Sequence, residues 1–293
     1  DTDRSRGLGD VYKRQHLLCA LKDGARLILV GDIDQLPPVG AGEPLKDLMS
    51  WGYVPIVRLK HIFRQEEGSG IVENAALIRK GEMCVPDEAG EFRIVYAADD
   101  EDAYRIVMDL CRELNYGNEE NKMLLQVLSP MYRGVCGVDH LNESLQEMIH
   151  GEKVPDGMKF FPGDKVMQTR NDYEKGIYNG DVGTVWTATP QKVFVHYFDK
   201  EVVYEGEERF DLRLAYAVTV HKSQGSEYET VIFILRPSQH NMLQRNLLYT
   251  GVTRARKNTI LVTAPDALRR ALAIQHTGNR YSLFLPFLNH EAL

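Results

Sequence analysis

One short polar segment of the sequence carries side chains that suit phosphate binding. Five of the six residues from Thr219 to Gln224 offer a hydroxyl, imidazole, ammonium or amide group. Such groups contact phosphates without reading bases. Gly225 follows them and permits close approach of the backbone. Residues 219–225, here called the polar turn, therefore form a candidate phosphate-binding loop with four candidate ligands: Thr219, His221, Lys222 and Ser223.

A second group of polar side chains follows the apolar run 26–30. Asp32, Asp34 and Gln35 bring two carboxylates and an amide directly after that run. If the run is a strand, these groups lie at the carboxyl edge of a sheet, where open α/β sheets bind ligands. In isolation, however, two such aspartates are more typical of residues that cap turns.

A third candidate segment is Ser-Pro-Met-Tyr-Arg-Gly at residues 129–134, which follows another apolar run. The aromatic ring of Tyr132 and the guanidinium of Arg133 stand beside a glycine. Such a pair can stack on a base or bind a phosphate. The same residues fit an ordinary turn between a strand and a helix equally well, and both interpretations remain open.

The elements that must position these residues are short apolar runs alternating with amphipathic stretches. In the stretch 100–115, apolar residues recur at three- and four-residue spacing and line one helix face. Strands that alternate with helices predict a parallel sheet covered on both faces, which is an α/β fold. The predicted strands are 26–30, 55–59, 92–96, 123–128, 214–220, 230–235 and 259–263. The predicted helices are 69–80, 100–115, 138–149, 242–254 and 265–275.

Residues 157–212 interrupt this alternation. Glycines separate short runs there, and the run 192–198 alternates with the period of a strand. Asn179-Gly180 is a hairpin-turn signal. The region is predicted to be a small antiparallel β-barrel inserted into the α/β domain.

Composition excludes several other classes of protein. The chain has 293 residues, a formal net charge of −7 and 43% apolar residues, which are typical of a globular protein of about two domains. The longest apolar run, 231–235, is far shorter than a membrane span, and no signal segment opens the chain. We therefore expect a cytoplasmic protein. The four cysteines form no Cys-x-x-Cys pair, which favours buried reduced thiols over zinc ligands or disulfides.

Taken together, the segments resemble the motifs of superfamily-one DNA helicases, most closely those of the RecD-like ATP-dependent helicases. Residues 27–42 resemble motif III, and Phe-Arg-Gln at 63–65 resembles motif IV. Residues 214–228 resemble motif V, and residues 247–257 resemble motif VI. The motifs follow the family order and span about residues 16–270, nearly the whole chain.

The resemblance implies an ATP site. Arg64 and Arg254 are implied to sense the γ-phosphate in the manner of arginine fingers, with Gln35 near that phosphate on the opposite wall. Hydrolysis requires such cationic groups at the γ-phosphate. Without the motifs, a single arginine is more typical of a surface ion pair. The implied catalytic residues are Gln35, Arg64 and Arg254, and the implied ATP-binding residues are Asp32, Gln35, Arg64, Gly225, Glu227 (facing the ribose) and Arg254.

The resemblance also implies a path for single-stranded DNA. The polar turn is implied to touch the DNA backbone. The inserted barrel resembles the SH3-like barrel of these helicases, which helps to enclose the strand. Lys165 and Arg170 are candidate contacts there, although solvated faces routinely carry such charges. The implied DNA-binding residues are Tyr132, Arg133, Lys165, Arg170, Thr219, His221, Lys222 and Ser223.

Two motifs that a helicase needs are absent from the sequence. A phosphate-cradling loop ends in Gly-Lys-[Ser/Thr], and no Gly-Lys dipeptide occurs in the 293 residues. The Asp-Glu dipeptides at 87–88 and 100–101 follow motif III, whereas the acidic pair of the family precedes it. We therefore expect that the ligands of Mg²⁺, the ion bound with ATP, belong to an upstream part. No metal ligand is assigned in this chain, and the chain alone is expected to be inactive.

The sequence therefore predicts the carboxyl-terminal part of a 5′-to-3′ DNA helicase that acts on single strands and duplex junctions, with repair or recombination proteins as partners. Alternatives are the helicase subunit of a recombination exonuclease complex, the helicase part of a conjugative relaxase, and a catalytically inactive DNA-binding module. The expected domains are a non-native or disordered leader (1–15), the remnant of a first RecA-like lobe of the P-loop NTPase type (16–66), a second RecA-like lobe (67–156 and 213–293) and the barrel (157–212).

Overall fold

The computed structural model describes residues 19–37, 43–59 and 68–275. Two compact units divide the chain, and the described residues before 60 belong to the first unit. That unit contains helix α1 (Pro44–Trp51), which begins at a proline and ends before Gly52 in the left-handed conformation. The predicted leader 1–15 lies outside the described residues.

The two strands predicted in the first unit are not formed. Residues 26–30 and 55–59 have no regular secondary structure, and Ile28 and Val30 are 82% and 90% exposed. Among the residues that the structure describes, no strand lies beside either segment. An extended segment needs a neighbouring strand to pair its backbone groups and to bury its side chains. The prediction of a buried strand at 26–30 is therefore wrong for this structure.

The second unit contains the remaining elements, and none of the described helices is long and apolar enough to cross a membrane. In chain order the elements are α2 (Gly70–Lys80), β1 (Phe92–Tyr96), α3 (Asp100–Glu113), α4 (Glu119–Lys122), β2 (Leu125–Ser129), α5 (Val138–His150), β3 (Lys165–Gln168), β4 (Val182–Ala188), β5 (Lys192–His196), β6 (Glu201–Glu205), β7 (Leu212–Leu214), β8 (Ala217–Thr219), β9 (Tyr228–Leu235), α6 (Arg245–Val252), β10 (Ala255–Thr263) and α7 (Pro265–Ala273). Two 3₁₀ helices lie at Gly206–Asp211 and Pro237–Met242.

A five-stranded parallel sheet forms the centre of this unit, in the order β1-β10-β9-β2-β8. On one face Val127 and Ile232 pack in a core with Val107 of α3 and Leu141 of α5. On the other face Phe233 packs against α6. Strands buried on both faces read as continuous apolar runs, which is why this α/β architecture was predictable from the sequence.

The inserted region forms a second, antiparallel sheet in the order β6-β5-β4-β3-β7. Its two edge strands contribute to one core, because Val202 and Tyr204 of β6 and Leu212 of β7 belong to the same buried cluster. The sheet is therefore strongly curled, as a small barrel requires. Gly180 has a φ of 106° in the predicted hairpin turn.

The predicted strand 214–220 is two strands in two different sheets. Strand β7 ends at Leu214 in the antiparallel sheet, and β8 begins at Ala217 in the parallel sheet. Between them, the Ala215 N–H donates to the Lys165 carbonyl at 2.8 Å, while the Tyr216 carbonyl accepts from Val127 at 3.3 Å. The residues on both sides of the break are apolar, so hydropathy does not reveal it.

Asp164 joins the antiparallel sheet to helix α5. Its carboxylate is fully buried. Oδ1 accepts a hydrogen bond from the Tyr216 hydroxyl at 2.9 Å and lies 2.8 Å from Nε2 of His150. Oδ2 accepts from the side-chain amide of Gln146 and from the Phe161 N–H. A buried carboxylate with four partners fixes the position of the inserted sheet on the lobe.

The cysteine prediction is correct for three of the four residues. Cys84, Cys111 and Cys136 are buried free thiols, and burial raises the pKa of each to about 12. Cys19 is a free thiol but is exposed, because the segment that carries it is not covered by the described residues.

The packing of α6 on the sheet yields a stability prediction. A Cβ atom at Gly251 would lie 2.5–2.9 Å from the ring of Phe233. We expect Gly251→Ala to lower the free energy of unfolding by about 1–3 kcal/mol, because overpacking outweighs the better helix propensity of alanine. Chemical denaturation measures the change, with Glu143→Ala on an exposed helix position as the control. An unchanged or higher stability of Gly251→Ala would contradict this packing.

Candidate nucleotide and DNA interface

The two predicted DNA-contacting segments leave the same edge of the parallel sheet. Strands β2 and β8 are neighbours, and Ser129 at the end of β2 pairs with Thr219 at the end of β8. The segment with Tyr132 and Arg133 therefore starts beside the polar turn. Tyr132, Arg133 and His221 are all exposed. This carboxyl edge thus brings together an aromatic ring, a guanidinium and an imidazole that sequence separates by about 90 positions.

Hydrogen bonds within the polar turn use its two hydroxyl residues. The Lys222 N–H donates to the carbonyl of Thr219 at 2.9 Å and lies 3.2 Å from its hydroxyl oxygen. The Ser223 hydroxyl donates to the carbonyl of Val220 at 2.8 Å, and Ser223 is fully buried. The predicted DNA contact by the Ser223 side chain is therefore corrected: this hydroxyl holds the turn together. Thr219 is also buried and takes part in the same bonding.

Lys222 connects the polar turn to the inserted sheet. Its ammonium donates to the side-chain carbonyl of Asn179, in the hairpin turn of that sheet. Gly225, at the end of the polar turn, has a φ of +86°, and a Cβ there would meet no atom within 4 Å. Glycine is thus needed at this position for its backbone conformation and not for space.

The residues implied to bind ATP in motifs V and VI lie at the opposite, amino edge of the sheet. Arg254 is buried, its Nε donates to the carbonyl of Thr250 at 3.1 Å, and its Nη1 donates to the carbonyl of Ser226 at 3.1 Å. Glu227 lies 3.8 Å from the guanidinium of Arg256. Arg254 therefore ties motif VI to the end of motif V.

The segment between β8 and β9 spans both edges. Strand β2 pairs with both β8 and β9, and these pairings put Thr219 level with Ile234 near the end of β9. Tyr228, at the start of β9, pairs with Ala255 at the start of β10. Thr219 and Tyr228 are thus about 20 Å apart along the strand direction. Residues 220–227 connect a candidate DNA edge with a candidate nucleotide edge.

The donor set at the amino edge fits part of a nucleotide. A carboxylate, Glu227, suits ribose hydroxyls, and a guanidinium, Arg254, suits a terminal phosphate. A loop able to cradle phosphates is not present among the described residues of this unit, in keeping with the lack of a Gly-Lys dipeptide in the sequence. Glu227 and Arg254 are therefore candidates for one wall of a nucleotide site.

The first unit shows the turn-capping geometry of motif III. Asp32 Oδ1 accepts from the Asp34 N–H at 3.0 Å, and Asp32 Oδ2 accepts from the amide of Gln35 at 3.2 Å. The Asp32 carboxylate thus joins the backbone of Asp34 to the side chain of Gln35. Arg64 lies outside the described residues, so its role as a phosphate sensor stays a prediction.

Lys165 is a correction to the predicted DNA-binding set. Its side chain is 1% exposed, and its ammonium donates to the Leu125 carbonyl at 3.1 Å and to the Gln126 side chain at 2.9 Å. Tyr116 lies 3.4 Å from the same nitrogen. Burial and the charge of Lys122 lower the pKa of Lys165 to about 7. This ammonium joins the inserted sheet to the lobe and cannot reach a strand at the surface.

Two basic residues near the carboxyl edge have no motif signal in the sequence. Arg213 is exposed, and its guanidinium carbon lies 5.9 Å from the centre of the Tyr132 ring. The second residue is Lys159, whose pKa is lowered by burial and by the charges of Arg213 and Arg209. Arg170, which was predicted, is exposed and lies 3.4 Å from Asp211. Only the fold brings Arg213 to Tyr132.

Three stretches of the chain match known families. Residues 141–197 match the ATP-dependent RecD-like DNA helicase SH3 domain. Residues 214–262 match the UvrD-like helicase C-terminal domain, and residues 7–93 match an AAA domain. The second match includes the polar turn and Arg254.

Individual relatives cover most of this chain. The ATP-dependent RecD2 DNA helicase of Deinococcus radiodurans is 37% identical over 271 residues, which are 91% of this chain and 36% of the relative. The RecBCD enzyme subunit RecD of Mycolicibacterium smegmatis is 32% identical over 287 residues, 91% of this chain and 51% of the relative. The chain thus spans about half, or less, of these curated relatives. A crystal structure of Bacteroides Pif1 bound to single-stranded DNA aligns with 81% of this chain and 62% of that chain, at 19% identity and a TM-score of 0.49.

The parallel sheet and the inserted curled sheet, together with the SH3-domain match, define a RecA-like helicase lobe with an SH3-like insertion. The similar proteins and the SH3-domain match show which group of helicases this lobe comes from. The chain belongs to the RecD-like DNA helicases of superfamily one.

The buried ammonium of Lys165 yields a pH prediction. Its pKa is about 7 in the folded protein, against an ordinary value of 10.5. Between pH 7 and pH 10.5 the unfolded chain therefore holds a proton on Lys165 that the folded chain has released. The contribution of Lys165 to the free energy of unfolding therefore rises with pH across that window, by at most about 1.4 kcal/mol per pH unit. From pH 7 to about pH 9, the free energy of unfolding of wild type should therefore rise relative to that of Lys165→Met.

Denaturation curves at several pH values measure this difference, and Lys257→Met, at an exposed lysine, serves as the control. A wild-type-minus-variant difference that does not change with pH would contradict the lowered pKa of Lys165.

Proposed function

We propose that this chain forms part of an ATP-dependent 5′-to-3′ DNA helicase that moves on single-stranded DNA and separates duplex strands. The carboxyl edge of the parallel sheet takes the DNA strand, and the amino edge forms one wall of the ATP site. The single observation that carries the proposal is the segment 220–227, which joins the two edges. The direction of movement rests on the family resemblance.

The proposed coupling runs through the backbone of motif V. Arg254 donates to the carbonyl of Ser226, so a shift of this guanidinium toward a phosphate moves the amino-edge end of the segment. Thr219 and Lys222 fix the other end by hydrogen bonds. Residues 223–225, which lie between the two ends, then change their position relative to the strand. Bound ATP supplies the phosphate charge that attracts Arg254.

The proposed DNA contacts are of two kinds. Arg133, His221 and Lys222 bind backbone phosphates, and Tyr132 stacks on a base. Arg170 remains a candidate contact on the inserted sheet. Because the contacts are made to the backbone and to base faces, binding is expected to depend on salt and to be nearly independent of sequence.

We expect ATP hydrolysis to require residues that this chain does not contain. Gln35, Arg64 and Arg254 are proposed to sense the γ-phosphate, with Asp32 nearby, and Mg²⁺ is proposed to be held by a Walker loop and an acidic pair of another part of the protein. The sequence contains no Gly-Lys dipeptide. The purified chain alone should therefore show no appreciable ATPase activity.

A second candidate is the helicase subunit of a recombination exonuclease complex. The observation that favours it is the 32% identity to a protein named RecBCD enzyme subunit RecD. Repair or recombination proteins would then be the partners, in the cytoplasm. Copurification of the full-length protein with two further subunits distinguishes this candidate from a helicase that acts alone.

The proposed DNA edge predicts a change in salt dependence. For single strands, each lost phosphate contact reduces the slope of log affinity against log salt by about 0.7. We expect Arg133→Ala to weaken binding of a labelled oligothymidylate and to reduce the slope by that amount. Fluorescence anisotropy at several salt concentrations measures it, with Arg269→Ala, an exposed arginine on α7, as the control. Equal slopes for Arg133→Ala and wild type would remove Arg133 from the interface.

The proposed role of Arg254 predicts a loss of hydrolysis without a loss of DNA binding. A chimera that joins the upstream part of the Deinococcus radiodurans relative to residues 16–293 should hydrolyse ATP when single-stranded DNA is present. Arg254→Ala in this chimera should lower the rate by about 10³-fold or more. The Arg269→Ala chimera should keep its rate. Hydrolysis that survives in the Arg254→Ala chimera would overturn the assignment.

A further inference from the structure

The hairpin 171–181 of the inserted sheet exposes two tyrosine rings next to one another. Tyr173 is 68% exposed and Tyr178 is 50% exposed. Their ring centres lie 6.1 Å apart at an interplanar angle of 74°. Neither ring belongs to the core cluster of the inserted sheet. Packing within the described sheet therefore does not explain why two exposed tyrosine rings lie next to one another.

Hydrogen bonds hold this hairpin in a defined shape. Asp172 and Ile177 exchange two backbone hydrogen bonds, of 2.7 and 2.9 Å. The carboxylate of Asp172 accepts from the Lys175 N–H at 2.9 Å, and the carboxylate of Asp181 accepts from the Tyr178 N–H at 2.7 Å. A ligand that binds the two rings meets a preorganised surface, so little conformational entropy is lost on binding.

A chain of hydrogen bonds connects the rings to the polar turn. The ammonium of Lys222 donates to the side chain of Asn179, and the Asn179 N–H donates to the side chain of Asn171 at 2.9 Å. The amide of Asn171 in turn donates to the hydroxyl of Tyr173 at 3.3 Å. Tyr178 thus precedes the residue that binds Lys222, and Tyr173 is linked to that residue through Asn171, which places the pair near the turn that is proposed to bind the DNA backbone.

The charges of the hairpin favour a base over a phosphate. Asp172 and Asp181 bring negative charge near the rings, Lys175 is paired with Glu208, and the ammonium of Lys200 donates to the carbonyls of Lys175 and Gly176. A phosphate would be repelled by the two carboxylates. A base is uncharged and stacks on an aromatic face whatever its identity. The chemistry of the surface therefore matches the base side of a strand whose backbone follows the polar turn.

We propose that Tyr173 and Tyr178 form a base-stacking platform for single-stranded DNA. The proposal rests on the proposed DNA path over the polar turn. The strand lies with its phosphates toward His221 and Lys222 and places one or two bases on the tyrosine rings. Stacking of this kind does not read sequence, as a protein that moves along a strand requires.

The test compares two probes that differ only in their bases: a labelled oligothymidylate and an abasic strand of equal length. The intact chain should bind the oligothymidylate at least about fivefold more tightly. In the double variant Tyr173→Ala/Tyr178→Ala this preference should fall at least about threefold, with the remainder due to stacking on Tyr132, while the affinity for the abasic strand stays unchanged. The double variant with phenylalanine at both positions should keep the preference, because phenylalanine retains the aromatic face.

The control is Tyr96→Ala. Tyr96 is 53% exposed at the end of β1, the edge strand farthest from β8, which is about 19 Å away across the sheet. This variant should keep the base preference. Thermal unfolding of every variant shows whether the chain remains folded, and the phenylalanine variant keeps the test valid if the alanine variant is unstable.

The outcomes separate this proposal from the proposed function. Binding of both strands by wild type without a base preference, or a preference that is undiminished in the alanine double variant, overturns the platform and leaves the DNA edge intact. Failure of the intact chain to bind either strand at low salt overturns the proposed DNA edge and the platform with it.

Discussion

The burial of two adjacent charges, Asp164 and Lys165, determines how the two sheets of the second unit are joined. A buried charge is costly unless its hydrogen-bonding groups are satisfied. The carboxylate has four partners on and near α5, and the ammonium has acceptors on the strand β2. These bonds fix β3 relative to the parallel sheet. A displaced insertion would leave both charges buried without partners, so the orientation of the curled sheet is tightly constrained.

The positions of the two candidate edges follow from this junction. The chain passes from β7 to β8 across it, through Tyr216, whose hydroxyl also binds Asp164. The position of β8 sets where the polar turn begins, and the position of the inserted sheet sets where Asn179 meets Lys222. At the far end of motif V, Arg254 closes the segment on the carbonyl of Ser226. One backbone segment is thereby held at both ends, which is the arrangement that a link between nucleotide and strand needs.

Much of the second unit was predictable because its strands are buried on both faces and its helices are amphipathic. Strand β1 was predicted at its observed residues, and α3 ends two residues before its predicted end. The errors have a common cause. Hydropathy reports how much a residue prefers burial, but not which neighbour covers it. The run 26–30 lacks a described neighbour, and the run 214–220 has neighbours in two sheets. A lysine in sequence is expected at the surface, and Lys165 is buried because residues distant in the chain supply its acceptors.

The sequence by itself determined the family, the alternation of strands and helices, the inserted antiparallel region and the motif residues, because residue type and local spacing encode these properties. The tertiary structure alone decided which of the motif residues share an edge. It placed Thr219 and Arg254 at opposite edges of the parallel sheet, and it turned Lys165 and Ser223 from candidate ligands into structural residues. It also placed Arg213 at Tyr132 and the tyrosine pair beside the polar turn. These relations depend on strand register and on long-range hydrogen bonds, which local sequence does not specify.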